Sequence, residues 1–227
     1  MLADTLSETL QHLENAAKAA HRPTPALLAV SKLQPASAAA ELARAGQRAF
    51  GENYVQEAQA KIGELAGMDL EWHLIGHLQS NKAELAAHLF DWVQTVDRHK
   101  LIGALSRYRP ADRAPLNVLV QVNIDDEASK HGCRPEEVAG LADAIAAEPR
   151  LRVRGLMAIP APHPDTARRI DAFRRMQALQ DQLAAKHPGV DTLSMGMSED
   201  CALAVAHGAT MVRIGTALFG ARPARTA

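Results

Sequence analysis

Lys32 ends an otherwise apolar run that begins at Ala26, and an amine in that position can carry carbonyl chemistry. Partial desolvation there favours the neutral amine over the ammonium, and a neutral amine attacks an aldehyde to form a Schiff base. A solvated lysine at a strand end is the other reading of the same position. Ser198 precedes Glu199-Asp200-Cys201-Ala202-Leu203, a helix start by pattern, where free N–H groups and the macrodipole attract an anion such as a phosphate. It is equally placed to act as a plain N-cap, with Glu199 and Asp200 complementing the dipole, and the two roles are compatible. Gly215-Thr216 offers close backbone approach and one hydroxyl, which suits a second wall of a phosphate cup and also suits a tight turn. Arg213 stands among Met211, Val212 and Ile214, so an inward orientation buries a guanidinium that needs an acceptor. A pyridine nitrogen would serve, and so would a barrel carboxylate. Arginine beside a pyridine nitrogen keeps it unprotonated and weakens the ring as an electron sink.

These groups need elements that bring them to one place. Short β-rich apolar runs occur at 26–31, 48–51, 71–76, 92–96, 117–122, 152–159, 192–195 and 211–215, eight in all. Between them, stretches 37–45, 54–65, 80–89, 135–147 and 166–186 carry helical spacing. Alternating strands and helices imply parallel βαβ units, and eight units in this length close into a (β/α)8 barrel. An open doubly wound sheet is the alternative, but no G-x-G-x-x-G follows the first strand and no P-loop pattern occurs. The expected fold class is therefore α/β, a single (β/α)8 barrel domain over 1–227. An extra N-terminal helix over 2–20 carries Leu2, Leu6, Leu10 and Leu13 as one apolar stripe and packs over the barrel. The polar or Pro-rich segments 109–115 and 160–164 are too short to be domain linkers. In such a barrel functional groups gather at the C-terminal strand ends. Here those ends read Ser31-Lys32, Glu52-Asn53, Gly76-His77, Met197-Ser198 and Gly215-Thr216.

Composition removes several function classes. The 227 residues are 47% hydrophobic and 22% charged, with 25 Lys plus Arg against 26 Asp plus Glu and a net charge of -1. No global field favours nucleic acid or an anionic membrane. Cys133 and Cys201 are far apart and form no C-x-x-C, so neither a disulfide framework nor a zinc site is expected and a reducing compartment fits. The first residues lack a basic segment followed by an apolar core, and no apolar run approaches the roughly 18 residues of a membrane span. A cytoplasmic protein is expected, and nothing in the sequence favours more than a monomer. The chain has 10 histidines, but His73 and His77 fall on a strand and its loop, so their spacing does not place them on one helix face for a metal-assisted hydrolase.

The motifs together resemble a known family. They stand as Ala29-Val30-Ser31-Lys32, the stretch Phe50-Gly51-Glu52-Asn53-Tyr54-Val55-Gln56-Glu57, and Trp72-His73-Leu74-Ile75-Gly76-His77-Leu78-Gln79-Ser80-Asn81-Lys82. Further on come Gly155-Leu156-Met157, Ser194-Met195-Gly196-Met197-Ser198 and Arg213-Ile214-Gly215-Thr216-Ala217-Leu218-Phe219-Gly220. From about Leu28 to Pro223 the chain resembles the pyridoxal phosphate homeostasis proteins, also called the proline synthase co-transcribed or alanine-racemase-like family. The resemblance implies a fold-type III pyridoxal 5′-phosphate (PLP) barrel. It matches Lys32 to the cofactor lysine, Arg213 to the partner of the pyridine nitrogen, and Ser198, Gly215 and Thr216 to phosphate contacts. Asn53 and His77 enter as pocket-lining candidates, and Met197 as a neighbour of the cofactor, although alone it reads as a core methionine.

The implied function is PLP homeostasis: holding the cofactor reversibly on Lys32, limiting free aldehyde and passing it to apo PLP-dependent enzymes. Release would need transfer to another amine, for which Lys130 is an internal candidate. A weak racemase or transaminase is the alternative. Two-base racemases use a tyrosine from an additional β domain opposite the lysine, whereas only seven residues follow Gly220 here. Tyr54, after the second strand, and Tyr108, at a helix end, are poor replacements, so little or no turnover is expected.

Overall fold

The structure, a computed structural model, describes residues 1–127, 129–161 and 163–220. Ala128, Pro162 of the 160–164 loop, and residues 221–227, including the last part of the family resemblance, lie outside the described residues. Helix α1 (Leu2–Ala19) leads into β1 (Ala26–Val30), α2 (Ala36–Arg44), β2 (Ala49–Glu52), α3 (Val55–Glu64) and β3 (Glu71–Leu74). Then follow α4 (Ala83–Leu89), β4 (Trp92–Val96), α5 (His99–Tyr108), β5 (Leu116–Gln121), α6 (Val138–Ala146) and β6 (Leu151–Met157). The chain continues through α7 (Thr166–Lys186), β7 (Thr192–Ser194), α8 (Cys201–Ala206), β8 (Met211–Ile214) and α9 (Thr216–Phe219). Single 3-10 turns, Ser80–Lys82 and Pro135–Glu137, lead into α4 and α6.

The eight strands close in sequence order, with β8 pairing parallel to β1 over Ala26↔Met211 to Ala29↔Ile214. This is the expected (β/α)8 barrel. Each strand is buried on both faces, which is why the sequence shows apolar runs rather than strict alternation. The two faces still separate. Leu28, Ile75 and Met211 pack together with Val30 and Ala49, and Trp92, Leu119 and Met157 form a second group. Neighbouring residues of the same strands, among them Leu27, Ala29, Trp72, Leu74, Val118 and Val120, join the core shared with the helices.

Helix α1 packs against α2, α8 and α9, over the seam where β8 meets β1. Leu6, Leu13 and Ala17 are its buried residues, whereas Leu10 is 44% exposed. The apolar stripe thus runs to one side of Leu10, contrary to the expectation from leucine spacing. Arg109, assigned by sequence to a polar loop, is buried instead. It donates to the carbonyls of Ala87, Phe90 and Ala114 and ties the end of α5 to the C-terminal end of α4 and to the loop before β5. No helix among the described residues is long and apolar enough to cross a membrane.

Candidate functional site

The C-terminal strand ends surround a cavity of about 840 Å³, within the range of small-molecule sites. Lys32, Asn53, Met197, Ser198, Arg213, Gly215 and Thr216 all line it. His77, read from sequence with these seven, lines an adjoining cavity of about 240 Å³ that shares Asn53, Ile75, Lys130 and Ile159 with the first. Its ring stacks on His131 with centroids 3.7 Å apart, and its Nδ1 lies 4.0 Å from the Asp97 carboxylate. Burial, and then the His131 charge, hold its pKa below the usual imidazole value. The ligand atoms of His77, Asp97 and His131 fall within 4.8 Å of one another, so the neighbours of His77 are these two and not His73.

The setting of Lys32 is built from the second strand and the third helix. Ser31 donates its hydroxyl to Glu52 Oε1 at 2.5 Å, and Lys61 Nζ donates to Ser31 O at 2.7 Å and to Glu52 Oε1 at 2.5 Å. On the other side Leu33 adopts φ 62, and its N–H donates to Glu57 Oε1 at 2.5 Å. Glu57 also lies 3.5 Å from Lys61, one helical turn on. Both chain neighbours of Lys32 are therefore clamped, while Lys32 itself is half-buried on the cavity. Burial raises the pKa of Glu52, and the Lys61 charge and the hydrogen bonds from Lys61 and Ser31 pull it back. The sequence marks Glu52 as a strand end and Glu57 as part of a motif, and it gives Lys61 no role. The available signal was the spacing of the three: Glu52 ends an apolar run, and Glu57 and Lys61 share a helix face.

Two further turns, after β7 and after β8, line the same cavity. The helix expected to start at Glu199 starts at Cys201, with Asp200 as its N-cap. The reason is local: Asp200 Oδ1 accepts the Met197 N–H at 2.6 Å, which turns 197–200 into a loop presenting Ser198 to the cavity. Gly196 has φ +90, and a Cβ there would meet Ala204 Cβ at 2.5 Å, so the turn admits only glycine. Met197 is 43% exposed at the cavity rim and is not a core residue. Gly215 leads into α9, a helix too short for sequence periodicity to reveal.

Arg213 is 4% exposed and forms part of the cavity wall. Its Nη1 donates to Ser194 Oγ at 2.8 Å and its Nη2 to the Ala158 carbonyl at 2.8 Å. Among the described residues it makes no salt bridge, so a hydroxyl and a carbonyl take the place of the barrel carboxylate weighed from sequence. Burial pushes its pKa down to about 10, with the Asp200 charge acting the other way, which leaves the guanidinium cationic at neutral pH.

A closed (β/α)8 barrel with a half-buried lysine at the end of its first strand and a buried arginine on its eighth defines a class of amine-bearing barrels. Residues 5–223 match the family model for the N-terminal domain of alanine racemase. The chain belongs to this family and, within it, to the pyridoxal phosphate homeostasis proteins. It is 55% identical to the pyridoxal phosphate homeostasis protein of Escherichia coli (strain K12) over 199 residues, 86% of this chain and 85% of that one. With the homologue of the same name from Pseudomonas aeruginosa it shares 51% over 223 residues, 97% of this chain and 96% of that one. The structure of PipY from Synechococcus elongatus PCC7942 with PLP bound superposes with a TM-score of 0.83 at 38% identity, covering 97% of this chain and all, 100%, of PipY. Alanine racemase of Corynebacterium glutamicum, at 22% identity and a TM-score of 0.69, shares the fold over 99% of this chain and 63% of its own length.

Proposed function

We propose that the chain binds PLP at the barrel mouth, holds it as a Schiff base on Lys32, and serves cofactor homeostasis by buffering PLP and delivering it to apo PLP-dependent enzymes, with little or no turnover of its own. The observation that carries this reading is convergence: an amine, a buried guanidinium and two turns bearing Ser198 and Thr216 line a single cavity. That donor set fits the cofactor. When bound, PLP supplies an aldehyde that condenses with an amine. Lys32, clamped through its neighbours, presents that amine. Ser198, Gly215 and Thr216 line the same cavity and would hold the phosphate through hydroxyls and backbone, and Arg213 would partner the ring nitrogen and keep it unprotonated. Asn53 and Met197 would complete the wall of the binding cavity, with His77 lining the adjoining one.

One feature favours buffering over racemisation. The described cavity lining contains no tyrosine that could serve as a second acid/base opposite Lys32; Tyr54 is 59% exposed outside it. Lys130 lines both cavities, with its ammonium 3.2 Å from the Ile159 carbonyl and 3.1 Å from Glu127, and it supplies a second amine for release. The test is to load the protein with PLP and follow reactivation of an apo PLP-enzyme, alongside solvent deuterium exchange at Cα of a small amino acid. Wild type should reactivate the enzyme without measurable exchange, and Lys32→Ala should lose prompt delivery. Delivery by Lys32→Ala equal to wild type contradicts the Lys32 reading, and exchange that depends on Lys32 makes the protein a racemase or transaminase instead.

A further inference from the structure

The barrel interior holds a line of polar side chains that the binding reading does not use. Arg213 Nη1 bonds Ser194 Oγ at 2.8 Å, Ser194 Oγ bonds Gln94 Oε1 at 2.7 Å, and Gln94 Nε2 meets His73 Nδ1 at 2.9 Å. His73 Nε2 then meets Glu71 Oε1 at 2.8 Å. Ser194, Gln94 and His73 are each 0% exposed, whereas the Glu71 side chain is 46% exposed at the start of β3, the opposite end of the barrel from the cavity. Buried polar groups have to be satisfied, and here five residues from β3, β4, β7 and β8 satisfy one another in a single file.

The file has only one direction. A guanidinium donates and never accepts, and an ionised carboxylate accepts and never donates, while a hydroxyl, a primary amide and a neutral imidazole each do both. Between those two ends every proton must therefore point toward Glu71. The Ser194 hydroxyl donates to Gln94 Oε1, Gln94 Nε2 donates to His73 Nδ1, and His73 carries its proton on Nε2 and gives it to Glu71. A flipped Gln94 amide would leave the His73 Nε2 lone pair against a carboxylate. The second contact of Gln94 Nε2, to Met211 Sδ at 3.2 Å, agrees with a donor at that atom. The imidazole plane is held as well: it stacks on Trp92 at 5.1 Å and 10°, and Arg154 covers the Trp92 ring at 4.6 Å.

We propose that Glu71, His73, Gln94 and Ser194 are positioning residues that hold the Arg213 guanidinium at the cavity wall through one polarised chain of hydrogen bonds ending on Glu71. The chain sets where the Arg213 nitrogens point before any ligand arrives. Its consequence for PLP rests on the binding reading above: a looser Arg213 costs affinity and disturbs the electronic state of the bound ring, although none of the four residues lines the cavity.

Two variants and two measurements test it. In the apo protein, 15N spectra of His73 should show Nε2 protonated and Nδ1 bare, and rotation of the Arg213 Nη groups should be slow. His73→Phe keeps an aromatic ring on Trp92 and removes both nitrogens; Ser194→Ala removes the anchor of Nη1 and leaves the Ala158 carbonyl on Nη2. Both should speed Arg213 Nη rotation in the apo protein, raise the PLP dissociation constant about tenfold, the scale of one charge-assisted hydrogen bond, and shift the visible band of the loaded protein. Ser194→Thr, which keeps the hydroxyl, should restore slow rotation. A proton on His73 Nδ1, or Arg213 rotation unchanged in both variants, overturns the inference. If wild type fails to bind PLP, the binding reading falls while the apo measurements still decide the chain.

Discussion

Lys61 is 4% exposed and its partner Glu52 0%, a buried ion pair bonded to Ser31, the chain neighbour of Lys32. Breaking such a pair from one side leaves an uncompensated charge, at a cost of roughly 3–5 kcal/mol. Lys61→Met should therefore destabilise the fold by about that amount in urea unfolding at neutral pH. Burial already raises the Glu52 pKa, so without Lys61 the carboxyl should stay protonated further toward neutrality and the cost should shrink as pH falls. A loss that does not vary with pH would mean that packing, rather than charge, is what Lys61 supplies. At this scale the sequence was readable where a residue type announces its chemistry. Lys32 and Arg213 are conspicuous because each breaks an apolar run. Lys61 and the interior line of His73, Gln94 and Ser194 are not, because their roles arise from contacts across strands that no local pattern encodes.

Among the elements, the strands follow the apolar runs to within a residue or two at most ends, and α7 spans 166–186 as its spacing predicts. Boundaries went astray where a side chain competes with the helix. Asp200 turns the chain at 197–200 and delays α8, and 3-10 turns shorten α4 and α6 at their N-termini. Leucine spacing alone could not say on which side of Leu10 the buried stripe runs, since that depends on where α2, α8 and α9 lie. The turn between β7 and α8 is constrained by its backbone at Gly196. Gly196→Ala puts a methyl against Ala204 at a positive φ and should cost about 1–3 kcal/mol in unfolding, with PLP affinity falling alongside because Ser198 is displaced. Unchanged stability would show that the turn relaxes freely and that its shape does not organise the cavity.

For the whole molecule, the polar interior ties stability to pH. Burial lowers the His73 pKa below its ordinary 6.5, so below that pH the unfolded chain binds a proton that native His73 refuses, and stability falls. Glu71, lowered chiefly by its hydrogen bond with His73, adds a loss in the same direction at lower pH, below its ordinary 4.5. Glu52 is raised and works the opposite way above 4.5, but it leaves the His73 step in place. The melting temperature should drop between about pH 7.5 and about pH 5.5, and His73→Phe should flatten that drop. The barrel itself was legible because eight apolar runs alternating with helical stretches leave few closed topologies. Its polar interior was not, because residues as distant as 94 and 194 meet only once the barrel closes.

The most direct measurement is to reconstitute the full chain with PLP, reduce it with borohydride, and locate the modified peptide by mass spectrometry. A yellow protein whose pyridoxyl group maps to Lys32 is the predicted result. A protein that gains no visible band, or a label that maps elsewhere with Lys32 unmodified, contradicts the account.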